Sequence, residues 1–238
     1  MRVLRGRTTD PATDRELTAS LLTAAADGTA GIRVWAPPRQ VAFGRRDARE
    51  PGFERARRLA AASGFQPLQR DVGGRAVAYT GQTLAFAHAV PIGDGSRSIP
   101  ERYERATGAV LTALRGLGAT VAAGEPSNAF CPGDHSVRVA DGGKVSGIAQ
   151  RVRSDAALIA GCLVVRSDDA RSVAAITDPV YDALGVPFDP TTVGSVADAG
   201  GPDDLERVSR ALEAAFVDGP WGDGGARIDR VSGDGPQG

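Results

Sequence analysis

Lysine and cysteine are both scarce in this chain of 238 residues, which holds one lysine and two cysteines. Cys131 and Cys162 form no CxxC pair and have no histidine cluster beside them, so the sequence predicts no metal site. In a reducing compartment such cysteines are free thiols rather than a disulfide. Each thiol is therefore either reactive or simply packed.

Long hydrophobic runs are also absent, since no window approaches the roughly 20 apolar residues that a membrane helix requires. The N-terminal sequence "MRVLRGRTTDPATDREL" lacks the apolar core of a signal peptide. The formal net charge of −1 gives no general attraction to nucleic acid or anionic lipid. We therefore expect a cytoplasmic protein that binds neither nucleic acid nor membrane and recognises its partners locally.

Helical periodicity and end signals predict several helices separated by strand-like segments. The first helix has Asp10 and Pro11 at its start and Gly28 at its end, which suit an N-cap, a first turn and a terminator. The predicted helices lie within residues 8–28, 50–64, 98–118, 178–185 and 202–216.

Short β-branched and apolar segments between the helices predict strands. Residues 78–91 alternate in polarity and predict a pair of strands, and "ADGG" predicts a hairpin turn between two later strands. The other strands are predicted within 31–37, 40–44, 66–70, 135–140, 142–152 and 156–165. Without regular βαβ alternation, this order indicates an α+β domain. We expect one domain over residues 1–218 and a flexible, glycine-rich tail over 219–238.

A glycine pair marks the first candidate site, in "QRDVGGRAVAYT". Backbone N–H groups at Gly73 and Gly74 can converge on an anion, and Arg70 and Arg75 supply positive charge. Together with Ala76, these residues are candidates for binding a phosphate or carboxylate. An ordinary hairpin turn with surface arginines explains the same pattern.

The only lysine, Lys144, begins a predicted strand in "GGKVSG". Arginine fills every other basic position of the chain, so a lysine here is of interest as a compact positive charge for a carboxylate or acyl oxygen. Ser146 and Gly147 leave the neighbouring backbone open to a ligand. The alternative is a solvated lysine at the end of a strand.

The thiol of Cys131 is the candidate nucleophile, because "FCPGD" predicts a turn and places this cysteine on a loop. Asp134 and His135 follow closely, and a nearby histidine increases the thiolate fraction of a cysteine. In contrast, Cys162 lies in an apolar segment and is predicted to be a buried small hydrophobe. His88, on a predicted strand, is expected to be structural.

Taken in order, "VAFGRRD", "QRDVGGRAVAYT" and "GGKVSGIAQRV" resemble the lipoate-protein ligase and octanoyltransferase family, which shares its catalytic fold with biotin-protein ligases. The resemblance implies a mixed or antiparallel sheet flanked by helices. It also implies that Arg70 and the loop from Gly73 to Arg75 line the acyl or acyl-adenylate site, and that Lys144 contacts the acyl carbonyl. Tyr79 replaces a histidine that is familiar in this family.

The resemblance extends to the segment around Cys131. "FCPGDHSVRVADGGKVSGIAQR" is similar to the branch that moves octanoyl from the glycine-cleavage H protein to dehydrogenase E2 subunits, in which a cysteine on this loop is the nucleophile. Single-chain bacterial ligases usually carry a further C-terminal domain, for which the sequence after the last matching strand leaves little room. Both features favour a transferase.

The resulting hypothesis is an octanoyl or lipoyl transferase that uses a Cys131 thioester and requires no cofactor or metal. Its expected partners are lipoyl-domain proteins, and the apolar segment 76–87 is a candidate wall for the acyl chain. One alternative is a lipoate-protein ligase that uses ATP and Mg and needs an accessory subunit. Another is a non-catalytic relative that senses an acyl ligand or a lipoyl domain.

Overall fold

The computed structural model describes residues 1–70, 72–93, 98–222 and 225–231. Its helices are α1 (Pro11–Ala26), α2 (Phe53–Ala62), α3 (Ile99–Gly116), α4 (Ser167–Leu184) and α5 (Leu205–Val217). Its strands are β1 (Arg2–Arg5), β2 (Gly31–Trp35), β3 (Gln40–Phe43), β4 (Gln66–Gln69), β5 (Val77–Tyr79), β6 (Leu84–Pro91), β7 (Val121–Ala123), β8 (Ser136–Val139), β9 (Lys144–Val152), β10 (Ala156–Leu163) and β11 (Arg227–Arg230). The described part contains no helix long and apolar enough to cross a bilayer.

Local capping explains where the predicted helices begin. Asp10 accepts a hydrogen bond from the Thr13 amide at 2.8 Å at the start of α1, and Ser98 forms a capping box with Glu101 at the start of α3. Such caps satisfy amides that have no partner within the helix. Helix α4 begins at residue 167 rather than near residue 178, and Pro179 lies inside it. A proline is favoured in the first turn of a helix, so the sequence does not show that the helix extends before residue 178.

Two sheets form the fold, which confirms the predicted α+β class. The large sheet has eight strands in the order β11-β1-β2-β6-β10-β9-β8-β7, and the small sheet has the order β4-β3-β5. In the large sheet β1 runs parallel to β2 and β11, whereas the pairs from β2 to β7 are antiparallel. The sheet is therefore mixed.

Two expectations are corrected by this topology. The strands predicted as a pair over residues 78–91 belong to different sheets, since β5 pairs with β3 while β6 lies between β2 and β10. Between them the chain turns at Gly81, where φ is +93°. The glycine-rich tail predicted over 219–238 also contains strand β11, because Arg227–Arg230 pairs with β1. Residues 223–224 and 232–238 of that tail lie outside the described residues.

The large sheet separates two packed layers. Helices α3 and α5 cover one face, where Val110, Leu114, Leu212 and Phe216 are buried. Helix α1 and the small sheet, backed by α2 and α4, cover the other face. The loop after β4 and the loop before β8 meet on this second side, at the edge between the two sheets.

Candidate active site

Cys131 lies on the loop before β8 in a backbone conformation that is uncommon for a residue with a side chain. Its φ is +43°, in the left-handed region that costs roughly 1–2 kcal/mol for residues other than glycine. The Tyr181 hydroxyl accepts a hydrogen bond from the Cys131 amide at 2.6 Å, and the Lys144 ammonium donates to the Cys131 carbonyl at 2.8 Å. Two buried side chains thus hold the strained peptide in place, as is typical of functional sites.

The glycine loop lies directly against the thiol. Gly74 has a φ of +98°, and a Cβ atom placed there would lie 2.6 Å from Cys131 Sγ and 2.8 Å from Arg70 Nη2. Only glycine fits, because a side chain would need both a left-handed backbone and space that sulfur and guanidinium occupy. The loop and the cysteine therefore belong to one site, although Arg70 and Cys131 are 61 residues apart in sequence.

Arg70 binds the thiol and its own loop at once. Its Nη2 atom donates to Cys131 Sγ at 3.3 Å and to the carbonyl of Arg75 at 2.7 Å. Burial acts to lower the pKa of Arg70, but the Coulombic effects of Cys131 and Tyr79 outweigh it and the pKa is raised. Arg70 therefore places a fixed positive charge beside the Cys131 sulfur.

Lys144 is completely buried, so the solvated-lysine interpretation is wrong. Its Nζ atom donates to the two carboxylate oxygens of Glu125 at 3.1 and 2.9 Å as well as to the Cys131 carbonyl. It also lies 5.1 Å from the centre of the Phe130 ring. The carboxylate neutralises the ammonium, which would otherwise be very costly to bury.

Of the other predicted site residues, Ser146 and Gly147 lie beside Lys144 on β9. Arg75 and Ala76 hold the loop that contains Gly73 and Gly74. Gly147 lies under Lys144, whose Cε atom would be 3.1 Å from a Cβ at residue 147. The buried Ser146 hydroxyl has no hydrogen-bond partner in the described part of the chain. The Arg75 side chain instead donates to Asp47 and Glu50.

Ala76 is another loop support, since its carbonyl accepts from the Tyr181 hydroxyl at 2.8 Å. That hydroxyl therefore links the glycine loop to the Cys131 amide. Burial raises the pKa of Tyr181 well above its ordinary value, so the hydroxyl stays protonated and can donate to Ala76 while accepting from Cys131.

A cleft of about 540 Å³ opens over the thiol. Of the predicted site residues, those that line it are Arg70, Gly73, Gly74, Cys131 and Gly147. Lys144, Ser146, Arg75 and Ala76 are not part of the lining. Lys144 lies directly behind the lining residue Gly147, with its Nζ atom 3.3 Å from where a Cβ at residue 147 would be, and Arg75 and Ala76 hold the glycine loop.

A second cavity of about 200 Å³ adjoins this cleft and lies between α1, the small sheet and the large sheet. Both cavities are lined by Arg70, Ala160 and Gly161, so they meet at these residues. The walls of the second cavity, called here the apolar chamber, include Leu22, Trp35, Leu68, Tyr79, Phe86 and Leu158. Tyr79 and Phe86 come from the segment that the sequence predicts as a wall.

His135 and the second cysteine, Cys162, also lie in the cleft wall. The imidazole of His135 is stacked on the Tyr103 ring with centroids 3.8 Å apart, and both side chains line the cleft. Cys162 is buried as predicted, although it too borders the cleft. Burial raises the pKa of the Cys162 thiol, which disfavours its thiolate. Among the described residues, no cluster of histidine, cysteine and acidic side chains could hold a metal ion.

Sequence reasoning missed Glu125 and Tyr181. Tyr181 lies in a segment read only as a helix, and it is 50 residues from the amide that it binds. Glu125 lies in a loop with no motif. The one available signal was the lone lysine itself, because such a residue requires a counterion if it is buried, which draws attention to acidic residues on nearby loops.

Comparison with known proteins places the fold and the family. Residues 10–217 match the model of the lipoyl protein ligase A/B catalytic domain. A lipoate-protein ligase A solved with ATP is 21% identical, with a TM-score of 0.77 over 97% of this chain and 89% of that one. A structure from a structural analysis of a bipartite lipoate protein ligase and its E2 lipoyl domain from Thermoplasma acidophilum is 20% identical, with a TM-score of 0.72 over 97% of this chain and 87% of that one.

Curated relatives match at higher identity over a shorter length. An octanoyl-[GcvH]:protein N-octanoyltransferase of Exiguobacterium sp. is 31% identical over 59% of this chain and 50% of its own length. The protein of the same name from Exiguobacterium sibiricum is 34% identical over 60% of this chain and 52% of its own length. The chain thus spans about half the length of these relatives. With the catalytic-domain match covering most of the sequence, the resemblance is confirmed, and the chain belongs to the lipoyl protein ligase A/B catalytic domain family.

Proposed function

We propose that this protein transfers an octanoyl or lipoyl group between proteins through a thioester on Cys131. The observation that carries the proposal is the position of the sulfur, which lies in an open cleft against the backbone of Gly74 and within 3.3 Å of the Arg70 guanidinium. A partly exposed thiol beside a fixed positive charge is the arrangement expected of a nucleophile.

The first transfer attaches the acyl group to the enzyme. The Cys131 sulfur attacks the acyl carbonyl of an N-acylated donor protein, a sulfur–carbon bond forms, and the bond from carbon to the donor's amine breaks. The thiol proton leaves with that amine. Arg70 holds the sulfur through its hydrogen bond, and the Tyr181 and Lys144 contacts fix the attacking residue.

The second transfer releases the acyl group to the acceptor. The amine of a lysine on a lipoyl domain attacks the thioester, a carbon–nitrogen bond forms, and the carbon–sulfur bond breaks. The amine loses one proton and the sulfur regains one. Because one amide is exchanged for another, the sequence of steps needs no external energy source. The names of the relatives and the pairing of a structural neighbour with its E2 lipoyl domain in one structural analysis support lipoyl-domain proteins as partners.

The apolar chamber is the proposed site of the acyl chain. It adjoins the cleft at Ala160 and Gly161, and its walls carry aromatic and aliphatic side chains. An acyl chain of eight carbons gains free energy by leaving water for such a surface. The segment 76–87 therefore packs in the core and also determines which acyl chains bind.

A ligase is the second candidate, because Arg45, Arg46 and Arg70 line the cleft and can receive phosphate groups. In that case ATP, with Mg, would supply the activation of a free acyl carboxylate. The positive charges of the three arginines match the negative charge of the phosphate groups. The acyl chain would occupy the same chamber in either reaction.

Intact mass spectrometry separates these functions. The protein is mixed with octanoylated H protein, first alone and then with an E2 lipoyl domain, each with and without ATP. The transferase forms an enzyme adduct of octanoyl mass that hydroxylamine removes, passes the group to the lipoyl domain without ATP, and loses both activities in Cys131→Ala. If the wild type requires ATP and Cys131→Ala keeps full activity, the transferase proposal is wrong and the protein is a ligase. Bound acyl ligand without turnover would instead support the sensor.

A further inference from the structure

The ammonium of Lys144 has no free N–H group for a substrate. It carries three hydrogens, and three acceptors surround it, namely two oxygens of Glu125 and the carbonyl of Cys131. The side chain is completely buried, so water does not compete for these bonds. An acyl oxygen can bind Lys144 only if it replaces one of the three acceptors.

The acceptors differ in how readily they can be replaced. The Cys131 carbonyl belongs to the same residue whose amide is held by Tyr181, and moving it would move the nucleophile. The Glu125 side chain is 22% exposed, and its carboxylate approaches Lys144 through both oxygens, with one contact longer than the other. Giving up the longer contact leaves the charge of the ammonium neutralised through the shorter one.

We propose that Glu125 is the positioning residue of Lys144. Its carboxylate holds the ammonium against the Cys131 carbonyl, and it releases one N–H group to the acyl oxygen when the substrate enters. This inference rests on the proposed function and gives Lys144 two simultaneous tasks. One N–H group braces the nucleophile, and another stabilises the negative charge that develops on the acyl oxygen.

The carboxylate is required for this role because an amide cannot replace both contacts. The Oε1 atom of a glutamine still accepts from the ammonium, but the NH₂ group that replaces the second oxygen is a donor and repels it. A glutamine at residue 125 also leaves the buried positive charge without a counterion. The ammonium is then no longer held against the Cys131 carbonyl.

The test measures the rate at which Cys131 becomes acylated by octanoylated H protein, in the absence of acceptor, over a range of donor concentrations. Glu125→Gln is expected to lower the maximal rate about tenfold or more while the donor concentration at half-maximal rate changes less than about twofold, since the lost interaction acts mainly in the transition state.

Glu125→Asp keeps the charge but is shorter, so its rate should fall between those of the wild type and Glu125→Gln. Glu206→Gln makes the same change on an exposed part of α5 and should react as the wild type does.

A double-mutant cycle shows whether Glu125 acts through Lys144. In a Lys144→Met background, where no ammonium remains to be positioned, Glu125→Gln should change the slow residual acylation by less than about twofold. An equally large effect in that background would overturn the proposal, as would acylation of Glu125→Gln at the wild-type rate. If Glu125→Gln does not fold, Glu125→Asp decides, and a wild-type rate in that variant overturns the proposal. Absence of any adduct on the wild type would instead refute the transferase function itself.

Discussion

A Cβ atom at Gly74 would lie 2.6 Å from the sulfur of Cys131, so the glycine loop and the nucleophile are in direct contact. Since φ at Gly74 is +98°, Gly74→Ala should lower the free energy of unfolding by about 1–2 kcal/mol. It should also slow thioester formation about tenfold or more, because the methyl group displaces the sulfur or Arg70. Mass spectrometry over time and urea denaturation measure the two effects.

Gly73→Ala is the matched control for this change. A Cβ at residue 73 meets no atom within 4 Å, so the alanine should have a much smaller effect on both measurements. Equal losses in the two variants would contradict the assignment of the close contact to Gly74.

Tyr181→Phe should destabilise the loop that carries Cys131. The change removes the acceptor of the Cys131 amide and the donor to the Ala76 carbonyl, and leaving buried polar groups unpaired costs about 1–3 kcal/mol each. We expect the free energy of unfolding to fall by about 2 kcal/mol and thioester formation to slow. Tyr103→Phe keeps the stacked ring at the cleft, and its stability should change by less than about 0.5 kcal/mol. Similar stability losses in both variants would argue against the role of Tyr181.

Ala160→Leu should change the acyl-chain preference. Ala160 lines both the cleft and the apolar chamber, so a larger side chain there narrows the junction through which the acyl chain would pass. Thioester formation from an octanoyl donor should fall about tenfold or more relative to a butyryl donor, whose short chain need not enter the chamber. The ratio of the two rates is measured on one protein sample, so a general loss of activity cancels. An unchanged ratio would exclude the chamber as the acyl site.

Asp169 should make stability depend on pH. Its carboxylate accepts hydrogen bonds from Thr80 and Thr83, but burial outweighs these bonds and raises its pKa above the ordinary 3.8. The folded protein therefore binds this proton more tightly than the unfolded chain does, so the contribution of Asp169 to stability falls as pH rises above 3.8, through its folded-state pKa.

Asp169→Asn removes this titration. The free energy of unfolding of the variant, minus that of the wild type, should increase from about pH 4 to about pH 7. Urea denaturation at several pH values gives this difference directly. A difference that stays constant with pH, or that decreases, would contradict the sign derived from burial.

Apart from the start of α4, the helices could be predicted from local sequence, and so could the motifs that contain the candidate site residues. Asp10 and Ser98 cap α1 and α3 because capping needs only groups a few residues apart. The same is true of the turn between β8 and β9, which "ADGG" predicts. Cys131, the glycine pair and the single lysine were recognisable because rare residue types stood in short motifs.

The tertiary structure alone decided how these motifs meet. Strands β5 and β6 are neighbours in sequence but belong to different sheets. The sequence does not reveal this, because the alternation of polar and apolar residues indicates which face of a strand is buried and not which strand lies beside it. The partners of the nucleophile are likewise distant, with Tyr181 50 residues and Arg70 61 residues from Cys131. Sequence determined that a thiol, a glycine loop and a lysine were present. The packing of the two sheets brings the Cys131 thiol against Gly74 and the Glu125 carboxylate against Lys144. Contacts between such distant segments depend on the burial of the whole core.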